Sequence, residues 1–378
     1  MTEYRLARPE EENDILDFIN FVFSQAHRPH DFRALLPKVY AHPGFSQYHV
    51  VAVENGRIRG TVALLPLTLR VSGGDTLSVG YIGSVSAHPY DKGAGHMKKL
   101  MNLTLENAEK AGYDLLTLGG QRQRYAYFGF ERAEMHRTFR LRTPNVRHAL
   151  RDVDASAVII REIQAGDEDL IAAAYALSSA QDMTCLRDRA RYLDIMHSWC
   201  NRLYAVLDAA TGAFEGYLNV SDDYIAEMAL VREERLPQVL KAWHQAHGDV
   251  TVNVPAHLPA RARALKRFAE SYELGDGGML RLMHPARVLA AALRLKHRLY
   301  SLPKGRVTVE IAGMARLALA VTADGVSVEE TADTPDYTLT RQEATAMFFS
   351  PYAAVETTDL PLAAWLPLPL DVASPDGF

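Results

Sequence analysis

Residues 87–101, AHPYDKGAGHMKKLM, combine two glycines with several positive charges just before an amphipathic run. Gly93 and Gly95 lack a Cβ, so the backbone there can approach a ligand closely. The unpaired N–H groups at the start of a helix carry about half a positive charge, which favours anions. Lys92 and Lys98 add charge suited to a diphosphate. These residues predict a phosphate-binding loop, and an ordinary solvent-exposed loop is the alternative.

A predicted strand precedes this loop and a predicted helix follows it. Residues 76–87, TLSVGYIGSVSA, are typical of a strand. Residue 112 is a glycine, which commonly ends helices. Another buried strand is predicted over 113–120, YDLLTLGG. The helix between them has one apolar face, formed by Met97, Leu100, Met101, Leu105 and Ala108.

The segment upstream of the loop completes a first unit. Apolar spacing over 9–27 predicts a helix, and Asn55-Gly56 predicts a hairpin between two strands. A second turn is predicted at Gly73-Gly74-Asp75. The order of helix, antiparallel strands, helix and strand predicts a mixed α/β unit over residues 1–150.

Two further units follow in the chain. The unit at 151–285 repeats the element order, with a strand-turn-strand at 202–220 and a strand leading into a helix at 224–247. The unit at 286–378 is rich in alternating apolar and polar residues, which predict half-buried strands. A short helix, RQEATAMFF, is predicted over 341–349.

Composition excludes several classes of protein. The chain has 378 residues, 48% hydrophobic and 23% charged, which is typical of a globular protein with two or three domains. A net charge of -5 argues against a wide nucleic-acid surface. A nucleic acid is therefore not expected as a partner. No run reaches 18 apolar residues, and the charged first residues do not resemble a signal peptide, so a membrane is not expected as a partner either. Cys185 and Cys200 form no disulfide framework or metal cluster, which favours a cytoplasmic location.

The spacing of the loop carries a family resemblance. It resembles the acetyl-CoA loop of the GNAT superfamily of N-acetyltransferases, whose pattern is Arg/Gln-x-x-Gly-x-Gly/Ala. Lys92, Gly95 and Met97 fall at the three defined positions. Lys92 and Met97 depart from the pattern, although one branch of the superfamily also has a bulky apolar residue at the last position.

The whole chain resembles the enhanced intracellular survival family of acetyltransferases. The resemblance rests on the motif YAYFGF at 125–130, the second acetyltransferase-like unit, the sheet-rich third unit and a terminal aromatic residue, Phe378. It implies an α/β (α+β) architecture. Two tandem acyl-CoA N-acyltransferase-like mixed-sheet domains, 1–150 and a degenerate 151–285, would precede a sterol carrier protein-like α+β domain at 286–378.

The same resemblance implies a donor site for acetyl-CoA, without a metal. Backbone groups of Val85, Ser86 and Ala87 would pair with pantetheine, and Gly120 and Gln121 would approach the cofactor. The pyrophosphate would be held by the amides of Gly93, Ala94, Gly95, His96, Met97 and Lys98. One acetyl-CoA per chain is expected, because Glu233 and Glu234 stand where a second phosphate loop would lie.

Two residues would carry the chemistry in this family. Tyr125 would donate a proton to the leaving thiolate, and the terminal carboxylate of Phe378 would act as base. A free tyrosine has a pKa of about 10 and a thiol about 8.5, so full proton transfer is uphill by about 2 kcal/mol. Either the pKa of Tyr125 is lowered or its hydroxyl mainly hydrogen-bonds the thiolate. Tyr127 and Phe128 are expected in the core.

Other polar residues receive structural interpretations. His27, His30 and Asp31 could form a substrate rim or a metal pair, but a solvated loop is preferred because no third ligand is near. His96 is interpreted as a neutral lid or a backbone contact. Cys185 is interpreted as structural.

These features predict a cytoplasmic, acetyl-CoA-dependent N-acetyltransferase. It would transfer acetyl directly to a small cationic amine, such as an aminoglycoside-, polyamine- or lysine-like acceptor. The alternative is a lipid or small-ligand binding protein that uses the sterol carrier-like domain, with the acetyltransferase fold as scaffold. The resemblance also implies a homo-oligomer, a hexamer, for which the apolar run at 361–370 is a hint unless it belongs to the core.

Overall fold

The computed structural model describes residues 1–26, 28–71 and 74–378. Alternating apolar residues form most of the strands, and tight turns connect them. One such turn joins a hairpin at Asn55 and Gly56, which both have positive φ. The strands are β1 (Glu3–Leu6), β2 (His49–Glu54), β3 (Arg57–Val71), β4 (Asp75–Ala87), β5 (Leu115–Leu118), β6 (Glu131–Leu141), β7 (Val158–Glu162), β8 (Met183–Cys185), β9 (Arg202–Asp208), β10 (Phe214–Ser221), β11 (Tyr224–Leu230), β12 (Val250–Pro255), β13 (Ser271–Leu282), β14 (Gly305–Ile311), β15 (Ala315–Val321), β16 (Val326–Glu330) and β17 (Tyr337–Leu339).

The helices cover both faces of the sheets. Local sequence signals mark several of their ends. Gly112, with a φ of +72°, ends α4, and Thr340 with Glu343 forms the capping box that starts α12. The helices are α1 (Glu12–Ala26), α2 (Phe32–Leu35), α3 (Pro37–Tyr40), α4 (His96–Ala111), α5 (Arg122–Ala126), α6 (Thr143–Ala149), α7 (Glu168–Ser179), α8 (Tyr192–His197), α9 (Leu236–His247), α10 (Pro259–Leu265), α11 (Pro285–Tyr300), α12 (Arg341–Phe349), α13 (Ala353–Glu356) and α14 (Leu362–Trp365).

One large sheet runs through the first two units. Its strand order is β1-β2-β3-β4-β5-β13-β6-β12-β11-β10-β9-β7, and β8 also pairs with β3. Strand β13 therefore lies between β5 and β6, antiparallel to both. On its other side β6 pairs with β12, so the sheet continues without a break from the first unit into the second.

Two pairs of neighbouring parallel strands diverge within this sheet. β4 pairs with β5 only from Val79 to Tyr81, although β4 continues to Ala87. β11 pairs with β12 only at Tyr224 and Ile225. Each divergence leaves a gap in the sheet, and the two gaps belong to corresponding positions of the two units.

The third unit has a separate four-stranded sheet with the order β16-β15-β14-β17. Its interior is continuous with the core of the first unit and is filled by side chains that include Leu293, Val309, Leu317, Phe348 and Trp365. The run 361–370 lies mostly in this core, so it gives no support to an oligomer interface. The hexamer stays a prediction.

Most local predictions from the sequence agree with these elements. The helix expected over 9–27 is α1, the loop is followed by α4, and RQEATAMFF is α12. The fold is a mixed α/β structure, as predicted. His27 and Gly73 lie outside the described residues. The domain boundaries at 150 and 285, and the sterol carrier-like assignment of 286–378, stay predictions.

Candidate active site

The glycine loop is open and ends at the N-terminus of α4. Gly93 and Gly95 have φ values of +89° and +79°, and a Cβ added to either would meet no atom within 4 Å. Gly95 is the N-cap residue and has no side chain to cap the helix, so the first-turn amides have no partner from the cap. The amide of Ala94 is the exception among the predicted donors, because it already donates to the Asp91 carbonyl at 3.0 Å. The loop therefore presents free N–H groups to solvent at a positive helix end.

The side chain of His96, at the start of α4, does not lie where the sequence analysis expected it. Its side chain is buried, and its Nδ1 lies 2.8 Å from the Tyr4 hydroxyl and its Nε2 3.8 Å from Asp91 Oδ2. His96 thus packs beneath the loop, and the interpretation as a lid is wrong. Lys92 is exposed, and Lys98 Nζ lies 4.8 Å from the centre of the Tyr127 ring.

The gap between β4 and β5 lies beside this loop. The backbone N–H of His88 donates to the Arg59 carbonyl at 2.9 Å, so the preceding residue, Ala87, directs its backbone groups away from β3. Those groups face the side on which β5 has already diverged from β4. The register shift opposite Val62, where Ser84 has a φ of +48°, bends β4 just before this point.

Tyr125 lies at the other edge of the gap, beyond the end of β5. Its side chain is buried, and a Cβ added to Gly120 would lie 2.8 Å from Tyr125 Cε2, so the ring packs on this glycine. Burial raises the pKa of the Tyr125 hydroxyl. Of the two alternatives for Tyr125, this direction favours a hydrogen-bond donor over an acid with a lowered pKa. Phe128 is in the core as predicted, but Tyr127 is exposed, so its core prediction is wrong.

Phe378 docks in the first unit, on β4. A Cβ added to Gly83 would lie 2.4 Å from Phe378 Cδ1, so only glycine leaves room for this ring. The ring centre is 6.2 Å from that of Tyr40. The backbone N–H of Phe378 donates to the Tyr81 hydroxyl, an interaction that lowers the pKa of Tyr81 against the larger rise caused by burial.

A buried cluster that the sequence did not reveal holds the residues before Phe378. Lys38 Nζ donates to the carbonyls of Pro375, at 2.6 Å, and of Gly377. Arg187 binds Asp376 through two hydrogen bonds of 2.9 and 2.8 Å. We name residues 374–378 the C-terminal segment; it is held by side chains from both the first and the second unit.

Arg187 also joins the C-terminal segment to the sheet of the second unit. Its guanidinium donates to the two carboxylate oxygens of Glu227 at 2.9 and 2.6 Å, and the Tyr217 hydroxyl donates to the same carboxylate at 2.5 Å. Arg187 is almost completely buried, and this double pairing keeps its pKa well above the usual range despite desolvation. The sequence did contain one signal of this cluster. Asp376 is the single acidic residue after position 371, in a terminal sequence that otherwise looks apolar.

A cleft of about 500 Å³ opens beside Phe378. Its lining includes Tyr81 and Glu134 (on β6) from the first unit, Tyr224 from the second and the terminal residue Phe378 from the third. His136, also on β6, lies with its Nε2 2.7 Å from Asp371 Oδ1. The sequence predicted no strand over β6, so the alternation of Glu134 and His136 on one side of it was not recognised.

Desolvation and neighbouring charges shift the pKa values of this group. Burial and the nearby Asp371 raise the pKa of Glu134 to about 8. The Asp371 carboxylate outweighs burial at His136 and raises the pKa of its imidazole to about 9. At neutral pH the His136–Asp371 pair is therefore ionised and Glu134 is mostly uncharged.

The corresponding gap of the second unit is closed. The Arg261 guanidinium donates to the Met228 carbonyl at 2.7 Å and also pairs with Glu233. A salt-bridged carboxylate thus stands where the first unit has its glycine loop. Burial raises the pKa of the Cys185 thiol well above its usual range, which agrees with a structural role for this residue.

The residues interpreted as a loop near His27 also have structural roles. Asp31 Oδ1 accepts hydrogen bonds from the amides of Arg33 and Ala34, so it caps α2. His30 stacks on Phe32 with ring centres 5.7 Å apart. Among the described residues, no group of three or more potential metal ligands is found. Within the same residues, no helix is long and apolar enough to span a membrane.

Comparisons with known proteins agree with this geometry. Residues 3–133 match the family model described as an acetyltransferase (GNAT) domain. A search of curated proteins finds no match. Eis1 from Mycobacterium abscessus superposes with a TM-score of 0.67 at 14% identity, covering 100% of both chains. A GCN5-related N-acetyltransferase from Kribbella flavida gives 0.65 at 16%, covering 100% of this chain and 98% of that chain.

A third solved structure, from Enterococcus faecalis V583 and described as a probable N-acyltransferase, gives a TM-score of 0.67 at 14% identity. It covers 98% of this chain, and this chain covers 97% of it. At these identities the likeness concerns the fold, over the full length of each chain. Residues 3–133 are therefore similar to a GNAT acetyltransferase domain, and the whole chain shares its fold with Eis1 and the two other solved structures, in agreement with the sequence resemblance.

Proposed function

We propose that this chain is an acetyl-CoA-dependent N-acetyltransferase that transfers acetyl directly to a small cationic amine. The class of reaction follows from the GNAT domain at 3–133. The observation that carries the proposal is the position of the open loop before α4 beside the gap between β4 and β5. A loop suited to a phosphate and an unpaired strand edge meet there, within the same unit that receives Phe378.

The donor site fits acetyl-CoA in charge and shape. The free amides of the loop and the positive end of α4 suit a pyrophosphate, with Lys92 exposed nearby. The outward backbone groups of Ala87 are available to pantetheine as an added strand would use them. When bound, acetyl-CoA supplies the activated acetyl group. One donor site per chain is expected, since Arg261 and Glu233 occupy the corresponding gap of the second unit.

Three residues bear on the transfer. Tyr125, kept protonated by its raised pKa, would donate a hydrogen bond to the leaving sulfur. In a chain that ends at residue 378, the α-carboxylate of Phe378 would receive the ammonium proton directly or through water. Cys185 is unsuited to carry an acyl group because its buried thiol stays protonated, which favours direct attack by the amine.

The acceptor class follows from the cleft beside Phe378. Carboxylates and aromatic rings line it, and such surroundings favour a cation over an anion. Aminoglycoside-, polyamine- and lysine-like amines all meet this requirement. The alternative of a lipid carrier would need an apolar cavity in 286–378, whereas Leu293, Leu317, Phe348 and Trp365 fill the interior of that unit.

The test of this function is a thiol-release assay with acetyl-CoA against polyamines, aminoglycosides and lysine peptides. Gly95→Glu places a carboxylate and a strained φ at the phosphate loop, so it should abolish acetyl-CoA binding in calorimetry. Gly112→Glu is the matched control, because Gly112 has a similar positive φ and open surroundings at the opposite end of α4. Two equal donor sites per chain, or full binding by Gly95→Glu, would contradict the proposed donor site.

The role of the Phe378 carboxylate has its own test. A short C-terminal extension should lower turnover by about 10²-fold or more, because it moves the carboxylate away from the cleft. Phe378→Leu keeps the carboxylate and should cost much less. An extended chain that folds and turns over at the original rate would show that the base is another group.

A further inference from the structure

One of the acidic side chains that line the cleft beside Phe378 has no ion-pair partner among the described residues. Three acidic side chains line this cleft: Glu134, Glu273 and Asp276. Glu273 pairs with Arg140 at 3.1 Å, and Asp276 pairs with Arg132. Within the described part of the chain, no cationic side chain forms a salt bridge with Glu134.

Glu134 is held in place although it lacks a cation. Its residue is only 5% exposed, and its Oε1 accepts a hydrogen bond of 3.4 Å from Thr117. A Cβ added to Gly278 would lie 2.9 Å from Glu134 Oε2, so a glycine in β13 leaves space for the carboxylate. Glu134 Oε2 itself has no hydrogen-bond donor among the described residues.

The backbone at Glu134 supports a functional interpretation. Glu134 has a φ of +64° in the middle of β6, a conformation that is uncommon for residues other than glycine and costs about 1–3 kcal/mol. Such strain persists where the surrounding structure imposes it, and it is frequent at ligand sites.

The positive group nearest to Glu134 along β6 is already paired. His136 faces Glu134 from the same strand, but it lies against Asp371 and its other nitrogen is 3.1 Å from Asn253 Oδ1. The other charged or titratable groups that act on Glu134 are Asp371 and Asp276, together with Tyr81 across the cleft. Asp371 and Asp276 each have a cationic partner, so an ionised Glu134 would be the group of this set whose negative charge is left for an added cation.

We propose that Glu134 binds the ammonium group of the acceptor and thereby selects alkylammonium compounds as acceptors. This inference rests on the proposed acetyl transfer for the identity of the ligand as an acceptor. The carboxylate would pair with the ammonium at the base of the cleft, while Trp199, Tyr224 and Phe378 supply aromatic surfaces for the adjoining methylenes.

The proposal requires a proton balance that can be measured. Glu134, with a pKa of about 8, is mostly protonated at about pH 7. It must give up its proton to pair with an ammonium group. Binding of one alkylammonium at about pH 7 should then release up to about one proton per chain.

The experiment is isothermal titration calorimetry of spermidine into the full chain without acetyl-CoA. Comparing two buffers of different ionisation enthalpy gives the number of protons released. Glu134→Gln should lower spermidine affinity by about tenfold or more and remove the proton release. Glu273→Gln, which alters a carboxylate that has its own arginine, should keep the release and bind within a factor of about three.

The same experiment separates this inference from the proposed function. Acetyl-CoA is absent, so a failure of the donor site or of turnover does not affect the result. Equal affinity of Glu134→Gln and the unchanged chain overturns the inference, as does spermidine binding without proton release. Failure of the unchanged chain to bind spermidine overturns it as well.

A second variant keeps the test valid if Glu134→Gln does not fold. Thr117→Val retains the carboxylate but removes the hydroxyl that lowers its pKa. The proton release on binding should then persist to a higher pH than in the unchanged chain. An unshifted profile in a folded Thr117→Val variant overturns the role of Glu134.

Discussion

Removing the charge of Asp376 should weaken the docking of the C-terminal segment without unfolding the protein. Asp376 is buried and receives two hydrogen bonds from Arg187, which in turn keeps both bonds to Glu227. Asp376→Asn therefore weakens the binding of the C-terminal segment, while the Arg187 guanidinium stays neutralised by the Glu227 carboxylate. Arg187→Met would be a poorer choice, because two carboxylates would lose their cation at a cost of about 3–5 kcal/mol.

The size of the effect follows from the bonds that are weakened. A hydrogen bond that involves a charged group contributes about 1.5–3 kcal/mol net, and the amide introduced by Asp376→Asn retains one acceptor for Arg187. We expect docking of the segment to lose about 2–3 kcal/mol. The detached population should then rise roughly 30- to 140-fold. The two bonds from Lys38 remain, so the docked state should still predominate.

Digestion by a carboxypeptidase measures this population directly. The enzyme removes Phe378 only when the segment is detached, so the release rate follows the detached population where docking is fast. Asp376→Asn should therefore increase the rate of Phe378 release from the 378-residue chain by the factor given above, with acetyl-CoA affinity unchanged. The amine kcat should fall as far as the docked population does.

A matched variant controls for general loss of stability. Glu215 is buried and pairs with Arg232 within the second unit, away from the C-terminal segment. Glu215→Gln should lower the melting temperature while Phe378 release stays as in the unchanged chain. The reasoning is refuted if Asp376→Asn leaves the release rate unchanged, or if Glu215→Gln increases it equally.

Three further predictions concern the chemistry, the stability and the assembly. Tyr125→Phe should lower kcat by about 10-fold with acetyl-CoA affinity retained, because a single hydrogen bond to the sulfur is lost; a descending limb of kcat below about pH 9 in the unchanged chain would instead indicate an acid of lowered pKa. The pKa of His136 is raised to about 9, so its stabilising effect of about 3 kcal/mol is complete below its unfolded pKa of about 6.5 and disappears as pH rises through 9. Thermal unfolding should show this fall, and His136→Gln should flatten the part of it above about pH 6.5. Glu134 adds a fall that runs from its unfolded pKa of about 4.5 up to about pH 8, because over that range the folded chain holds a proton that the unfolded chain has lost. Light scattering should report a hexamer at micromolar concentration, and a monomer would refute the assembly expected from the resemblance.

Local sequence was sufficient for the donor side of the site. The glycine loop and α4 follow from residues within 87–112, because helical spacing, a glycine N-cap and a glycine stop are all short-range signals. The hairpin at Asn55-Gly56 was predictable for the same reason. Burial of His96 against Tyr4 was not, since the partner is 92 residues away in the chain.

The acceptor side depends on contacts that no local pattern encodes. Lys38 bonds to a carbonyl 337 residues away, and Arg187 to a carboxylate 189 residues away. A buried lysine and a buried arginine look like surface residues in sequence, because their partners are supplied only by the folded chain. Likewise, Glu134 and Gly278 become neighbours only when β13 pairs with β6 in the folded chain.

The topology explains why an acetyltransferase-like unit with a closed donor gap remains part of this chain. Strand β6, which carries Glu134, is bordered on one side by β13 and on the other by β12, and both strands come from beyond residue 150. Arg187 and Glu227 from the same region hold the segment that brings Phe378 onto Gly83. The first 150 residues alone therefore supply a donor loop, but they supply neither a strand that pairs with β6 nor the arginine that binds Asp376. In the proposed enzyme the second unit would therefore support the acceptor cleft, and this role would require its sheet and its buried ion pairs rather than a second molecule of cofactor.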